Sequence, residues 1–184
     1  MDVNKLGEVK TTPWSPSGVE TPDFPPYYLY GDLEEPEVRD LTRFLTPRPQ
    51  QANIRLHSEG GWVSAGLAIY DLLREIPKVT ITATGICASA ATIALLGAQH
   101  RLATPNTHFL IHNCKHSLDE PLSEEERVEV EKRKKYLDGI IGIIYLTHLG
   151  IAGYNQAMEN HMFNATFAKS IGLVTAIVGQ YLVV

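Results

Sequence analysis

The chain has 184 residues, 44% of them hydrophobic, enough to bury one sizeable core without calling for a second domain. A charged fraction of 20% and a formal net charge of -5 exclude a disordered polyelectrolyte and a basic surface that would hold nucleic acid. The two cysteines, Cys87 and Cys114, are too few for a disulfide framework and fit a reducing cytoplasm.

The opening MDVNKLGEVKTTPW has no apolar run of the kind a secretory signal needs, and no uncharged stretch of about eighteen apolar residues occurs after it. A soluble, unexported, cytoplasmic protein without a membrane partner is expected. Residues 11–26, TTPWSPSGVETPDFPP, concentrate Pro, Ser, Thr and Gly without periodicity. This predicts an irregular arm over residues 1–26 and a single folded domain over 27–184.

YYLYG then reads as a strand, and PEVRDLTRFL as a helix with Pro36 in its first turn and Val38, Leu41 and Leu45 on one side. NIRLH is a short strand ending at Ser58, followed by Glu59 and the glycine pair Gly60 and Gly61, which lets the backbone turn tightly or approach a ligand closely. VSAGLAIYDLLREI spaces Ala65, Ala68, Ile69, Leu72, Leu73 and Ile76 along one helical face, and Pro77 stops it. VTITAT is a β-branched strand that Gly85 is expected to break, and SAATIALLGA is apolar enough to be a buried helix. RLAT and HFLI are two short strands around a Pro105-Asn106 turn.

A long helix starts after Ser123, which has capping-box spacing to Glu126. Its first half is heavily charged, whereas in YLDGIIGIIYLTHLG the apolar residues cover more than one face, as burial against a neighbour or another subunit requires. A helix over 165–171, a stop at Gly172 and a strand LVTAIV close the chain. Strand and helix alternate through the middle, predicting an α/β domain of parallel strands with crossover helices plus one long helix.

Ser89 lies between a strand and a buried helix, where a serine is most often an N-cap. A hydroxyl at such a turn is also exposed for attack, with the Ala90 amide at the helix start pointing at a developing oxyanion. The text GICASAA does not fit the G-x-S-x-G elbow, which disfavours that other hydrolase fold. His112 ends HFLI, and such a histidine is usually structural; paired with a nucleophilic serine it is a general base. Gly61 is a second candidate oxyanion donor beside the bland reading of a turn. His57, His100, His108, His116, His148 and His161 show no metal-ligand spacing, so neither a metal nor a cofactor is expected. Cys114, two residues past His112, reads as structural.

Three ordered segments carry a family resemblance. HSEGGWVSAGLAIYDLL resembles a stretch with S-P-G-G followed by A-G-x-A-I-Y-D, GICASAAT resembles G-x-A-A-S-M-G, and RLATPNTHFLIH resembles R-x-A-L-P-N with its M-I-H. These belong to the ClpP-like serine peptidases, the proteolytic subunits of ATP-dependent Clp proteases, and the resemblance covers roughly residues 27–178.

It implies a crotonase-like α/β core with the long helix as a handle between stacked rings. It also implies hydrolysis of peptide bonds in peptides or unfolded proteins through an acyl-enzyme, with an AAA+ unfoldase as partner. Ser89 falls on the family's serine, His112 on its histidine, and Gly61 and Ala90 on its oxyanion-hole positions. Three departures stand out. Glu59 replaces a proline before the glycines, NCKHSLDEPLSEEE replaces a glycine-rich stretch, and the acidic triad position, counted back from Gly172, falls on Asn160. His161 and Glu159 are its alternatives. An asparagine orients a histidine without supplying negative charge, which lowers the expected activity. The competing expectation is a weak or silent subunit assembling with an active paralogue; an acyl-CoA enzyme of the crotonase type is a more distant third.

Overall fold

The computed structural model describes residues 25–46, 48–115 and 123–179. The expected N-terminal arm, apart from Pro25 and Pro26, lies outside the described residues, as do 116–122 and the final five positions.

Among the described residues, seven strands form one sheet. Tyr27–Tyr30 (β1), Gln51–Ser58 (β2), Lys78–Ala88 (β3), His100–Ala103 (β4) and Ala176–Ile177 (β7) lie side by side in the order β1-β2-β3-β4-β7, each parallel to its neighbour. His108–Leu110 (β5) is parallel to the end of β3, and Phe163–Asn164 (β6) is antiparallel to β5. Parallel strands need crossovers, which the helices Glu35–Leu45 (α1), Val63–Arg74 (α2) and Ala90–Leu96 (α3) supply. A mixed α/β domain with a parallel sheet and a long helix is thus what the alternating pattern produces.

Each helix follows from its residues. α1 starts with a capping box between Glu34 and Glu37, holds Pro36 in its first turn and buries Leu41 and Leu45. α2 buries Ala65, Ile69 and Leu73 as its spacing requires, while Ala68, expected on the same face, is exposed. All seven residues of α3 are buried, and burying Ile93, Leu95 and Leu96 contributes about 1.5–3 kcal/mol apiece.

Gly85 does not end its strand. β3 runs through it, at φ +63, to Ala88. The pairing with β2 passes from Leu56↔Ala83 to Ser58↔Cys87, so β3 carries two additional residues opposite His57. The His57 ring occupies the space over Gly85, where a Cβ would lie 2.6 Å from Nδ1, and the Ile86 amide donates to that nitrogen at 3.2 Å. Up to Ala83 the strand pairs with β4; from Ile86 it pairs with β5. The Pro105-Asn106 turn joining β4 to β5 is tied back to β3, since the Thr104 amide and the Thr107 hydroxyl both donate to the Ala83 carbonyl.

The long helix Glu124–Glu159 (α4) opens with the expected capping box: the Ser123 amide donates to Glu126 at 2.8 Å, and the Glu126 amide to Ser123 Oγ at 3.3 Å. Gly150 interrupts it with φ 67 and ψ 171. An 18-residue window has a mean hydropathy of 1.3, apolar enough by length and composition to cross a membrane. Its Ile141, Tyr145, Gly153 and Ala157 instead pack into the domain core, so part of that apolarity is consumed by packing. The expected closing strand shortens to Ala176–Ile177, with the helix Ala165–Ser170 (α5) before it.

Arg101 clamps this closing segment. Its guanidinium donates to the carbonyls of Ala98, Gly172 and Leu173 at 3.0–3.2 Å, and its backbone exchanges bonds with Thr175. Arg101→Met keeps the apolar stem and strands three carbonyls, so chemical denaturation is expected to show a loss of about 3 kcal/mol. An unchanged midpoint would mean that water replaces the clamp at no cost.

Candidate active site

Three parallel strands end on the same side of the sheet, and the segments that leave their ends meet there. Ligands in open parallel sheets bind beyond the carboxyl ends of the strands. β2 leads into Gly60 and Gly61, β3 into Ser89, and β5 through Ile111 into His112.

Ser89 has φ 53 and ψ -127, a backbone conformation that residues with a side chain seldom adopt. It is the N-cap of α3, yet its hydroxyl makes no capping hydrogen bond, and among the described residues Oγ is uncommitted. The common structural explanation of a serine here, capping, therefore does not hold. Its amide donates to the Leu110 carbonyl at 2.8 Å, so β5 secures the turn directly.

Gly60 stands against this turn. A Cβ there would lie 2.7 Å from Ser89 Cβ and 2.9 Å from the Ala88 carbonyl oxygen, and φ is +115. No side chain fits, so the first glycine of the pair serves the serine rather than a ligand. Gly60 is itself set by Ser58, whose buried Oγ accepts its amide at 3.0 Å. The Gly61 and Ala90 amides find no acceptor among the described residues. The Ala90 donor follows the serine at a helix N-terminus, and Gly61 follows the glycine that abuts the serine.

His112 is half-buried, and its Nδ1 contacts the Asn113 carbonyl oxygen. A carbonyl can only accept, so Nδ1 is a protonated nitrogen, and in the neutral ring the lone pair then lies on Nε2. That is the tautomer a general base toward a hydroxyl requires. No hydrogen bond joins Ser89 Oγ to His112.

β5 pairs with β6 as His108↔Asn164 and Phe109↔Phe163. Phe163 stacks on Phe109 at 6.0 Å and meets Phe167 edge-on at 5.1 Å, which anchors the segment. The pairing ends at Phe163; Glu159 is the last residue of α4, Asn160 caps that helix, and His161 follows in the link to β6. The Asn160 side chain donates from Nδ2 to the Gln156 carbonyl at 2.6 Å as α4 ends. All three residues are exposed, and none of them hydrogen-bonds to His112.

One link escaped the sequence. Thr92 Oγ1 donates to the Ser89 carbonyl at 2.7 Å and lies 2.6 Å from Tyr145 Oη; both side chains are fully buried. Burial raises the Tyr145 phenol well above its ordinary pKa, so it remains a neutral donor to Thr92. The long helix is thereby hydrogen-bonded, through one threonine, to the backbone of the half-buried Ser89. Cys114 is held as a thiol: burial first, then a hydrogen bond with Asp138, push its pKa up to about 11. The buried Cys87 is pushed further in the same direction by burial alone.

The sequence profile described as Clp protease matches residues 43–181. The chain belongs to the Clp protease family. Among curated relatives, the ATP-dependent Clp protease proteolytic subunit of Lobularia maritima is 32% identical over 131 residues, covering 68% of this chain and 66% of its own length. The chloroplastic ATP-dependent Clp protease proteolytic subunit 1 of Arabidopsis thaliana matches at the same identity and coverage. The match thus spans just under two thirds of these relatives. Among solved structures, an Asn-to-Asp mutant of ClpP1 from Listeria monocytogenes superposes with a TM-score of 0.71 at 25% identity, covering 84% of this chain and 91% of that one.

The Thr92 bridge is open to a double-mutant cycle. Thr92→Val leaves the buried Tyr145 hydroxyl without its partner and should cost about 1–3 kcal/mol, against about 1 kcal/mol for Tyr145→Phe. The double variant should cost clearly less than the two single losses together. Strict additivity in denaturation would mean that the two hydroxyls do not act as a pair.

Proposed function

We propose that this Clp protease family member is a serine-type endopeptidase subunit, with Ser89 as nucleophile and His112 as general base. The observation that carries this reading is the backbone of Ser89: a non-glycine residue at φ 53, held by Gly60 and Leu110, with an uncommitted hydroxyl. Strain of this kind costs about 1–3 kcal/mol and persists where the surroundings impose it, typically at reactive centres.

The chemistry follows from the arrangement. His112 Nε2 takes the Ser89 hydroxyl proton as Oγ bonds to the scissile carbonyl carbon, and the amides of Gly61 and Ala90 receive the resulting oxyanion. Collapse breaks the C–N bond, and the histidine passes its proton to the leaving amine. Water then attacks the acyl-enzyme by the same route, releasing the acid and restoring the serine. If Asn160 is the third member, its amide must leave the Gln156 carbonyl and its oxygen must replace the Asn113 carbonyl as acceptor of His112 Nδ1–H.

The substrates would be peptides or unfolded proteins, delivered by an AAA+ unfoldase to stacked rings of this chain in the cytoplasm. On α4, Ile143 is 66% and Ile151 73% exposed, an apolar surface of the kind subunit contacts cover. Sedimentation should show a multi-subunit particle. Ile143→Glu with Ile151→Glu should shift it to smaller species, and a wild-type monomer would sink the ring reading.

A second reading, a silent subunit paired with an active paralogue, is favoured by one observation: the Asn160 amide serves a helix end and, among the described residues, no carboxylate bonds to His112. Intact-mass detection of fluorophosphonate labelling separates the two. Labelling of the wild type that vanishes in Ser89→Ala, and speeds up at least about tenfold in Asn160→Asp, is expected, since charge at this position is worth up to about four orders of magnitude. An unlabelled, well-folded wild-type oligomer would decide for the silent subunit.

A further inference from the structure

A cleft of about 580 Å³ runs from Gly61 along the first half of α4. Gly61, Trp62 and Lys115 line one side of it, and Arg133, Lys134 and Leu137 the other. The α4 contribution comes from a single helical face, because Val130, Arg133, Lys134 and Leu137 recur at three- and four-residue spacing. Among the described lining residues three are cationic and none is acidic. Among the described residues, Lys115, Arg133 and Lys134 form no ion pair, whereas Lys132, on another face of the same helix, approaches Glu129 at 4.0 Å. Asp138, one turn beyond Lys134, is committed to the Cys114 amide at 2.7 Å. Concave walls bearing one sign of charge concentrate ligands of the other sign.

We propose that this cleft is a subsite that receives a carboxylate of the bound peptide, so that acidic segments are preferred beside the reacting bond. The proposal rests on the peptidase reading for the identity of the ligand, and Gly61 joins the two, being at once a cleft wall and the proposed oxyanion donor. Trp62, 61% exposed, and the aliphatic side chains of Val130 and Leu137 give the peptide backbone an apolar bed, while the cations supply orientation. The cation run 132–135, which by composition is merely a solvated stretch, is thus divided by the helix: two of its members face the cleft.

Binding is best read without turnover, in the full chain with Ser89→Ala and with Trp14→Phe, which leaves Trp62 as the sole tryptophan reporter. The probes are N-acetylated, C-terminally amidated peptides that differ only in a central Glu, Gln or Lys, together with the Gln peptide bearing a free C-terminal carboxylate. The Glu peptide should bind about tenfold more tightly than the Gln peptide at low ionic strength, with the advantage shrinking as salt is added. Arg133→Gln with Lys134→Gln should abolish the advantage while the Gln peptide binds as before. A gain confined to the free C-terminus would uphold the subsite and assign it to the chain end. Equal binding of the Glu and Gln peptides, an advantage that survives loss of both cations, or no binding of any peptide would overturn it. Because Ser89 is absent from the assay, these outcomes are independent of whether the wild type labels with fluorophosphonate.

Discussion

Strand β3 has two successive neighbours along one edge, and the site exists because it changes from one to the other. Up to Ala83 it is bonded to β4, and beyond Gly85 to β5. The two additional residues opposite His57 absorb the change, and only a glycine leaves room for the imidazole that fills the bulge. Had β3 ended with β4, its last residues would have no partner on that edge, and the Ser89 amide would not reach Leu110. The change of neighbour brings β5 alongside the strand end, and with it His112. The same bulge realigns β2 so that Ser58 stands beside Cys87, which delivers Gly60 to the Ser89 turn.

Much of this was legible in the sequence because burial and backbone preference point the same way there. The β-branched run at 79–84, the apolar run at 90–96 and the capping box at Ser123 each state one structure and find it. Gly85 misled because a glycine between apolar residues is punctuation in most contexts; here the strand continues on hydrogen bonds from β5, which are non-local. The same non-locality hid Thr92 and Tyr145, which are 53 residues apart and individually unremarkable within apolar helices. Gly60 was legible as a glycine that matters, but its neighbour, the serine turn, was not.

The third position of the proposed triad shows where reading by spacing stops. Counting back from Gly172 chose Asn160, and the pairing of β5 with β6 brings the segment just after that residue alongside β5. Neither fixes a side-chain torsion. The amide turns to the Gln156 carbonyl because α4 ends there and its last carbonyls need donors. Helix termination and histidine orientation compete for one side chain, and composition carries no information about which prevails.

The conformation of Ser89 bears on the history of the chain. At φ 53 a serine is held against its own preference, whereas glycine would occupy the same turn without strain. Were the hydroxyl without use, replacement by glycine would make the protein more stable, and random change would be expected to arrive there readily. A lineage that had abandoned the reaction would find the serine the easiest part of the site to lose. If Ser89 is the nucleophile proposed above, its turn is a position where chemistry and stability pull apart.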